Sequence, residues 1–170
     1  MFKKAFILAT LLLSIGTCFS QKFAYVDTDF IMDNIPAYKE AQEKLNNFSM
    51  EWQKEVEQKF KEVDKLYKTF QVEEVLLSEA MKTKKEDEIV KKEEEARNFQ
   101  KSIFGVDGEL FKKRQELIKP IQEDIFRAVT EIAKAGSYAV IFDKASGATM
   151  LYMNPKYDKS KTVLKNLGYK

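Results

Sequence analysis

Histidine is absent from this 170-residue sequence and Cys18 is its one cysteine, so the chemistry open to it is narrow. Serine–histidine–aspartate relays, cysteine–histidine pairs and Cys/His zinc sites all require side chains that are missing. Carboxylates and cations remain, 27 Asp and Glu beside 29 Lys and Arg. A carboxyl group becomes a useful general acid only where burial or a close neighbour shifts its pKa. The densest group, Lys82–Glu95 (KTKKEDEIVKKEEE), holds eleven charged residues in fourteen, five basic and six acidic. Interleaved signs at this spacing read as a solvated helix face held by pairs four apart. Electrostatic contact with other proteins or a membrane is the second reading. No glycine-rich phosphate loop and no metal-ligand spacing stands out. The expectation is no catalytic residue, no metal and no cofactor.

The elements that would position any site begin after residue 20. Lys3 and Lys4 precede the apolar run Ala5–Ile15, and small residues follow, with Cys18 and Ser20 three and one residues before Gln21. This is the layout of a cleavable signal peptide, cut after Ser20, and the run is short for a membrane of ~30 Å. A retained membrane helix and lipidation at Cys18 are the other readings. Losing Lys3 and Lys4 leaves 27 basic and 27 acidic residues and no cysteine. A neutral mature chain lacks the field that would draw nucleic acid. Without a disulfide, an exported chain depends on core packing or association. No later apolar stretch reaches ~18 residues, so membrane contact is at most peripheral.

Strand patterns occur only near the ends: Phe23–Asp27, Tyr138–Asp143 and Thr149–Met153, with a turn at Lys144–Ala148. Asp27, Thr28 and Asp29 offer N-caps for a brief apolar helix. Asp158 or Ser160 opens a final one through Val163, Leu164 and Leu167, closed by Gly168. Between Pro36 and Ala135 the pattern is helical. One stripe passes through Tyr38, Ala41, Leu45, Phe48, Trp52, Val56, Phe60, Val63, Tyr67 and Phe70 at steps of three and four. A second follows Ile89, Ala96, Phe99, Ile103, Val106, Leu110, Leu117 and Ile121. Reversal at Leu76–Glu79, with Ser78 as N-cap, gives arms Pro36–Leu77 and Glu79–Lys119, each ~60 Å long. Pro120 is expected to open or kink a new segment, and Gly136 to end it. Gly105 and Gly108 in FGVDGEL each weaken a helix by ~1 kcal/mol. They mark either a close crossing of the arms or a hinge.

A two-helix hairpin buries one stripe. Met50, Leu66, Val72, Met81, Val90 and Phe104 fall off the seam, and exposed apolar groups among charges suit loose contact with unfolded chains. Three short strands are too small a core for such arms. The strand-bearing ends should therefore associate with copies of themselves through Phe23, Tyr25, Val140, Phe142, Met150 and Tyr152.

Three passages in this order carry a resemblance: KFAYVDTDFIMDNIPAYKEAQEKL; then, beyond the charged hairpin, FGVDGELFKKRQELIKPIQEDIFRAVTEIAKAGSYAVIFD; then LYMNPKYDKSKTVLKNLGY. Over essentially the whole mature length the chain resembles the OmpH/Skp family of periplasmic chaperones. The resemblance implies a homotrimer with a strand-built body. Three helical tentacles would surround a cavity that holds unfolded outer-membrane proteins without ATP. The family's best-known members are strongly basic whereas this mature chain is neutral, so apolar contact should matter more here.

The sequence therefore reads as an α+β protein, a small β-strand oligomerisation body bearing a long antiparallel coiled-coil hairpin. Residues 1–20 form the signal peptide, 21–35 and 120–170 the body, and 36–119 the arm. The expected function is that of a periplasmic holdase for unfolded outer-membrane or envelope proteins, not an enzyme. The alternatives are a structural or adaptor coiled-coil protein of the envelope, docking a folded partner at the hairpin tip, and a carboxylate-dependent envelope hydrolase.

Overall fold

The computed structural model describes residues 21–147 and 149–169; the leader read in Met1–Ser20, with Cys18, lies outside them. Strand β1 (Lys22–Val26) is followed by helix α1 (Thr28–Asp33) and the long helix α2 (Pro36–Glu73). A 3-10 turn at Glu74–Leu76 reverses the chain into α3 (Glu79–Phe104). After a short break come α4 (Glu109–Gly136), β2 (Tyr138–Asp143) and, near the end, α5 (Ser160–Asn166).

The two strands pair in parallel, with Phe23 opposite Val140, Ala24 opposite Ile141 and Tyr25 opposite Phe142. Parallel neighbours cannot be joined by a tight turn and need a crossover. Here the whole helical hairpin is that crossover. Its return is sealed by a core of Val26, Ile31, Ile35, Ile125, Ala128, Ile132, Val163 and Leu164. Ala41, Leu45 and Ile118 continue this packing into the base of the hairpin.

Along the hairpin the first stripe packs as its spacing requires. Ala41, Leu45, Val56 and Phe70 are buried, while Tyr67 is half exposed. On the returning side Ala96 and Ile103 are buried. Lys59 Nζ lies 4.9 Å from the Phe99 ring centre and Lys113 Nζ 5.9 Å from that of Phe48, so lysine stems complete the seam. Glu73 and Lys85 pair across the two helices. The reversal falls where an apolar end meets Ser78, the N-cap residue of α3, although its hydroxyl makes no capping bond.

Three expectations need correction. Thr149–Met153 forms no strand. The Lys144–Ser146 segment is a 3-10 turn, which does not fold the chain back on β2. The free edge of β1 is instead met by Asp158 through an isolated bridge, with Lys159 N–H donating to the Tyr25 carbonyl. Pro120 neither opens nor ends a helix, because α4 runs through it. It is exposed, where water can satisfy the carbonyl it leaves unpaired, and buried Ile118 and Ile125 anchor the helix on either side of it. Third, the descending arm is not one helix to Lys119, since it breaks at Gly105–Gly108. Gly136 is the last residue of α4, and Ser137 takes the left-handed position after it, at φ 53°.

The break is specified by backbone contact. A Cβ on Gly108 would lie 2.4 Å from the Ile103 carbonyl oxygen, and one on Gly105 2.4 Å from that of Lys101. Gly108→Ala is accordingly expected to lower stability by about 1–3 kcal/mol, since main chain must move to admit the methyl group. Ser137→Gly should raise it by up to about 1 kcal/mol by relieving the left-handed penalty. Urea denaturation of the two variants beside the wild type should give midpoint shifts of opposite sign. Two losses of stability would contradict the assignment of Ser137, and two gains that of Gly108.

Candidate contact surfaces

Strand alternation gives the sheet two unlike faces. Ala24 and Val26 point into the core and are buried. On the other face Phe23, Val140 and Phe142 are exposed and Tyr25 is half-buried. Two strands are too few to be stable without a covered face. A groove of about 990 Å³ runs along this side of the sheet. Five of the six residues expected at a subunit interface line it: Phe23, Tyr25, Phe142, Met150 and Tyr152. Val140 is not part of the lining but lies opposite Phe23 on the same face. Leu151, which the sequence reading did not single out, is 97% exposed beside them.

Polar contacts at the end of the sheet hold this face in place. Asp27 caps α1 by accepting from Phe30 N–H at 3.0 Å, and its second oxygen accepts from Lys144 Nζ at 2.8 Å. Asp143 accepts from Thr28 N–H at 3.2 Å and Thr28 Oγ1 at 2.8 Å, joining β2 to the start of α1. Buried Ser160 donates to Asp158 Oδ1 at 2.6 Å and accepts from Asp27 N–H at 2.9 Å. These bonds tie both strands and both short helices together. The hydrogen bond from Lys144, followed by that from Phe30 N–H, holds the Asp27 carboxyl below its ordinary pKa.

The six off-seam residues of the hairpin are not brought into one patch. Met50, Val72, Met81, Val90 and Phe104 are exposed and Leu66 is half-buried. Met50 and Val72 lie 22 residues apart on α2, about 33 Å along its axis. The structure adds apolar residues that the stripe pattern did not single out. Val75 and Leu76 sit bare at the reversal, and Phe126 is exposed on α4. Phe126 was legible in principle, since Ile125, Val129 and Ile132 recur at helical spacing on the face that packs on the core and Phe126 falls off it. Val106, a seam position by spacing, is 90% exposed because the helix break removes it from register.

Among the described residues no cluster of acidic side chains could hold a metal ion, and no helix is long and apolar enough to cross a membrane. The arrangement offers contact surfaces: one aromatic sheet face with its groove, and separate apolar points along a charged hairpin.

The family described as outer membrane protein (OmpH-like) matches residues 22–167. An uncharacterized protein of Aquifex aeolicus is 34% identical over 165 residues, covering 97% of this chain and 96% of its own. A crystal structure from Caulobacter crescentus, offered as that of an OmpH-like outer membrane chaperone, superposes with a TM-score of 0.67. It covers 87% of this chain and 84% of its own at 13% identity, a likeness of fold.

The Asp27 contact has a pH signature. Its folded pKa lies below the unfolded value of about 3.9. The stability it contributes is therefore complete above about pH 4 and is lost as pH falls through the folded pKa. Asp27→Asn keeps a good capping residue but removes the ion pair. It should cost about 0.2–1 kcal/mol at neutral pH, with the difference from wild type shrinking as the solution is acidified below pH 4. Denaturation midpoints measured across that range check this. A difference that does not change with pH would show that the pair contributes nothing.

Proposed function

Since the chain belongs to the OmpH-like outer membrane protein family, we propose that it is a periplasmic holdase, a chaperone that binds unfolded outer-membrane or envelope proteins without nucleotide. The observation that carries this reading is the combination of a long, charged, weakly sealed hairpin with an uncovered aromatic face at its root. Along α2 and α3 the hairpin buries only Ala41, Leu45, Val56 and Phe70 on the first and Ala96 and Ile103 on the second, so many of its other apolar side chains meet water among charges. Many weak apolar contacts of that kind suit partners without a fixed shape. The sheet face is of another sort. Its apolar side chains are contiguous and line a groove, which suits a permanent partner.

The partner proposed for that face is further copies of the chain. In a homotrimer, Phe23, Tyr25, Val140, Phe142, Met150 and Tyr152 would be shared core. The body would comprise residues 21–35 and 120–170, and residues 36–119 of each copy would project as an arm. Clients would lie between the arms, with Met50, Leu66, Val72, Met81, Val90 and Phe104 among the contacts. Export by a leader cleaved after Ser20 places the mature chain in the periplasm.

The reading predicts that the mature chain suppresses aggregation of a urea-denatured β-barrel protein at stoichiometric ratio, with no ATP added. Phe23→Ser/Phe142→Ser should lower the sedimentation coefficient towards that of a monomer and weaken suppression together. No suppression by the wild type, with tight binding to one folded envelope protein, would favour an adaptor role instead.

A further inference from the structure

The groove beside the sheet includes the residue with which the exported chain would begin. Gln21 is exposed, lines that groove and precedes β1, outside the strand pairing that starts at Lys22. Cleavage after Ser20 would turn its peptide nitrogen into an α-amino group. A glutamine in that position carries its own electrophile, because the Cδ carbonyl of its side chain reaches the nitrogen in a five-membered ring.

Cations line this groove and carboxylates do not. Lys22, Lys156 and Lys159 form part of its wall, and no Asp or Glu among the described residues does. The carboxylates at this end of the sheet are engaged elsewhere. Asp158 Oδ1 accepts from Ser160 N–H at 2.8 Å and from its hydroxyl at 2.6 Å. Asp27 holds Phe30 N–H and Lys144, and Asp143 holds Thr28. Two of the lysines are fixed in place, Lys22 Nζ donating to the Gly136 carbonyl at 3.2 Å and Lys159 Nζ lying 5.7 Å from the Tyr138 ring centre. An ammonium on Gln21 would therefore stand among like charges and aromatic rings. Both surroundings favour the neutral amine, which is the nucleophile. An ordinary α-amino group, with a pKa of about 7.7–8.0, is only about a tenth neutral at pH 7, so neutralising it can speed attack by up to about tenfold.

We propose that Gln21 is a modification site, at which the new α-amino group closes on its own side chain to pyroglutamate, and that the lysine-lined groove promotes the closure. The α-nitrogen bonds to Cδ, the Cδ–Nε2 bond breaks, and Nε2 leaves as ammonia with the proton the amine gives up. Nothing is oxidised or reduced. The product is a neutral lactam. Such an end suits a face that further copies of the chain would cover, where an unpaired ammonium would be costly to bury. The inference rests on the leader being cut after Ser20 and deepens that reading.

Intact-mass and N-terminal peptide mass spectrometry of the full-length chain, expressed with its leader and recovered from the periplasm, provides the first test. The expected product is residues 21–170 lighter by one ammonia. Residues 21–170 with a free amine would overturn the modification and leave the leader reading standing. A different first residue would overturn the leader reading, and the inference with it. The second test measures ammonia loss at pH 7 from mature chain freshly released with a free Gln21. It should proceed about threefold or more faster than in a synthetic peptide of residues 21–30, and Lys156→Gln/Lys159→Gln should slow it towards the peptide's rate. A folded wild type no faster than the peptide, or a folded double variant as fast as the wild type, would overturn the part assigned to the groove.

Discussion

Everything in this protein depends on five residues of β1 lying parallel to β2 across the length of the hairpin. Because parallel strands need a crossover, that pairing returns the end of α4 to the point from which α2 departed. The hairpin is thereby closed at its root and free at its tip. Val26 on the covered face binds the sheet to α1, α4 and α5, and Asp27, Asp143 and Ser160 lock its end. The same alternation that buries Ala24 and Val26 leaves Phe23, Val140 and Phe142 facing out. An exposed apolar sheet face is thus the direct geometric consequence of a two-stranded sheet covered on one side.

Away from the root the packing thins. Buried residues on α2 are Ala41, Leu45, Val56 and Phe70, and only Ala96 and Ile103 are buried on α3. Lysine stems and one cross-helix pair make up part of the difference. Surface ion pairs contribute little each, with a median of about 0–1 kcal/mol. The distal hairpin therefore has less to hold it than the root, which suits elements that open locally at small cost. Gly105 and Gly108 divide the returning side where the main chain itself packs too closely for a side chain. Those contacts lie within the returning side itself, at Lys101 and Ile103, and not between the two arms, and the break also explains why Val106 leaves the seam.

Much of this was legible in the residues. The strand Tyr138–Asp143 was read at its observed limits, the α2 stripe follows the seam, and the reversal read at Leu76–Glu79 overlaps the observed connection, although the ascending helix ends at Glu73 and not at Leu77. Those features follow from local pattern, where spacing alone decides. What was not legible depends on partners. Thr149–Met153 has the composition of a strand, but the 3-10 turn at Lys144–Ser146 does not bring it back to the open edge of β2. Pro120 is a strong local breaker, yet the packing of Ile118 and Ile125 outweighs it. Gly105 and Gly108 were recognised as exceptional, but their effect on Val106 could be seen only once the break was placed. The expected contact residues divide along the same line. Those on the strands share a groove because alternation dictates it, whereas those on the hairpin share only exposure, so spacing could not choose among them.

Native mass spectrometry of the mature chain mixed with a urea-denatured β-barrel protein tests the central claim most directly. It reads assembly and capture in one spectrum. The account predicts a species of three chains carrying one unfolded client, formed without nucleotide. A folded monomer with no client bound would contradict it.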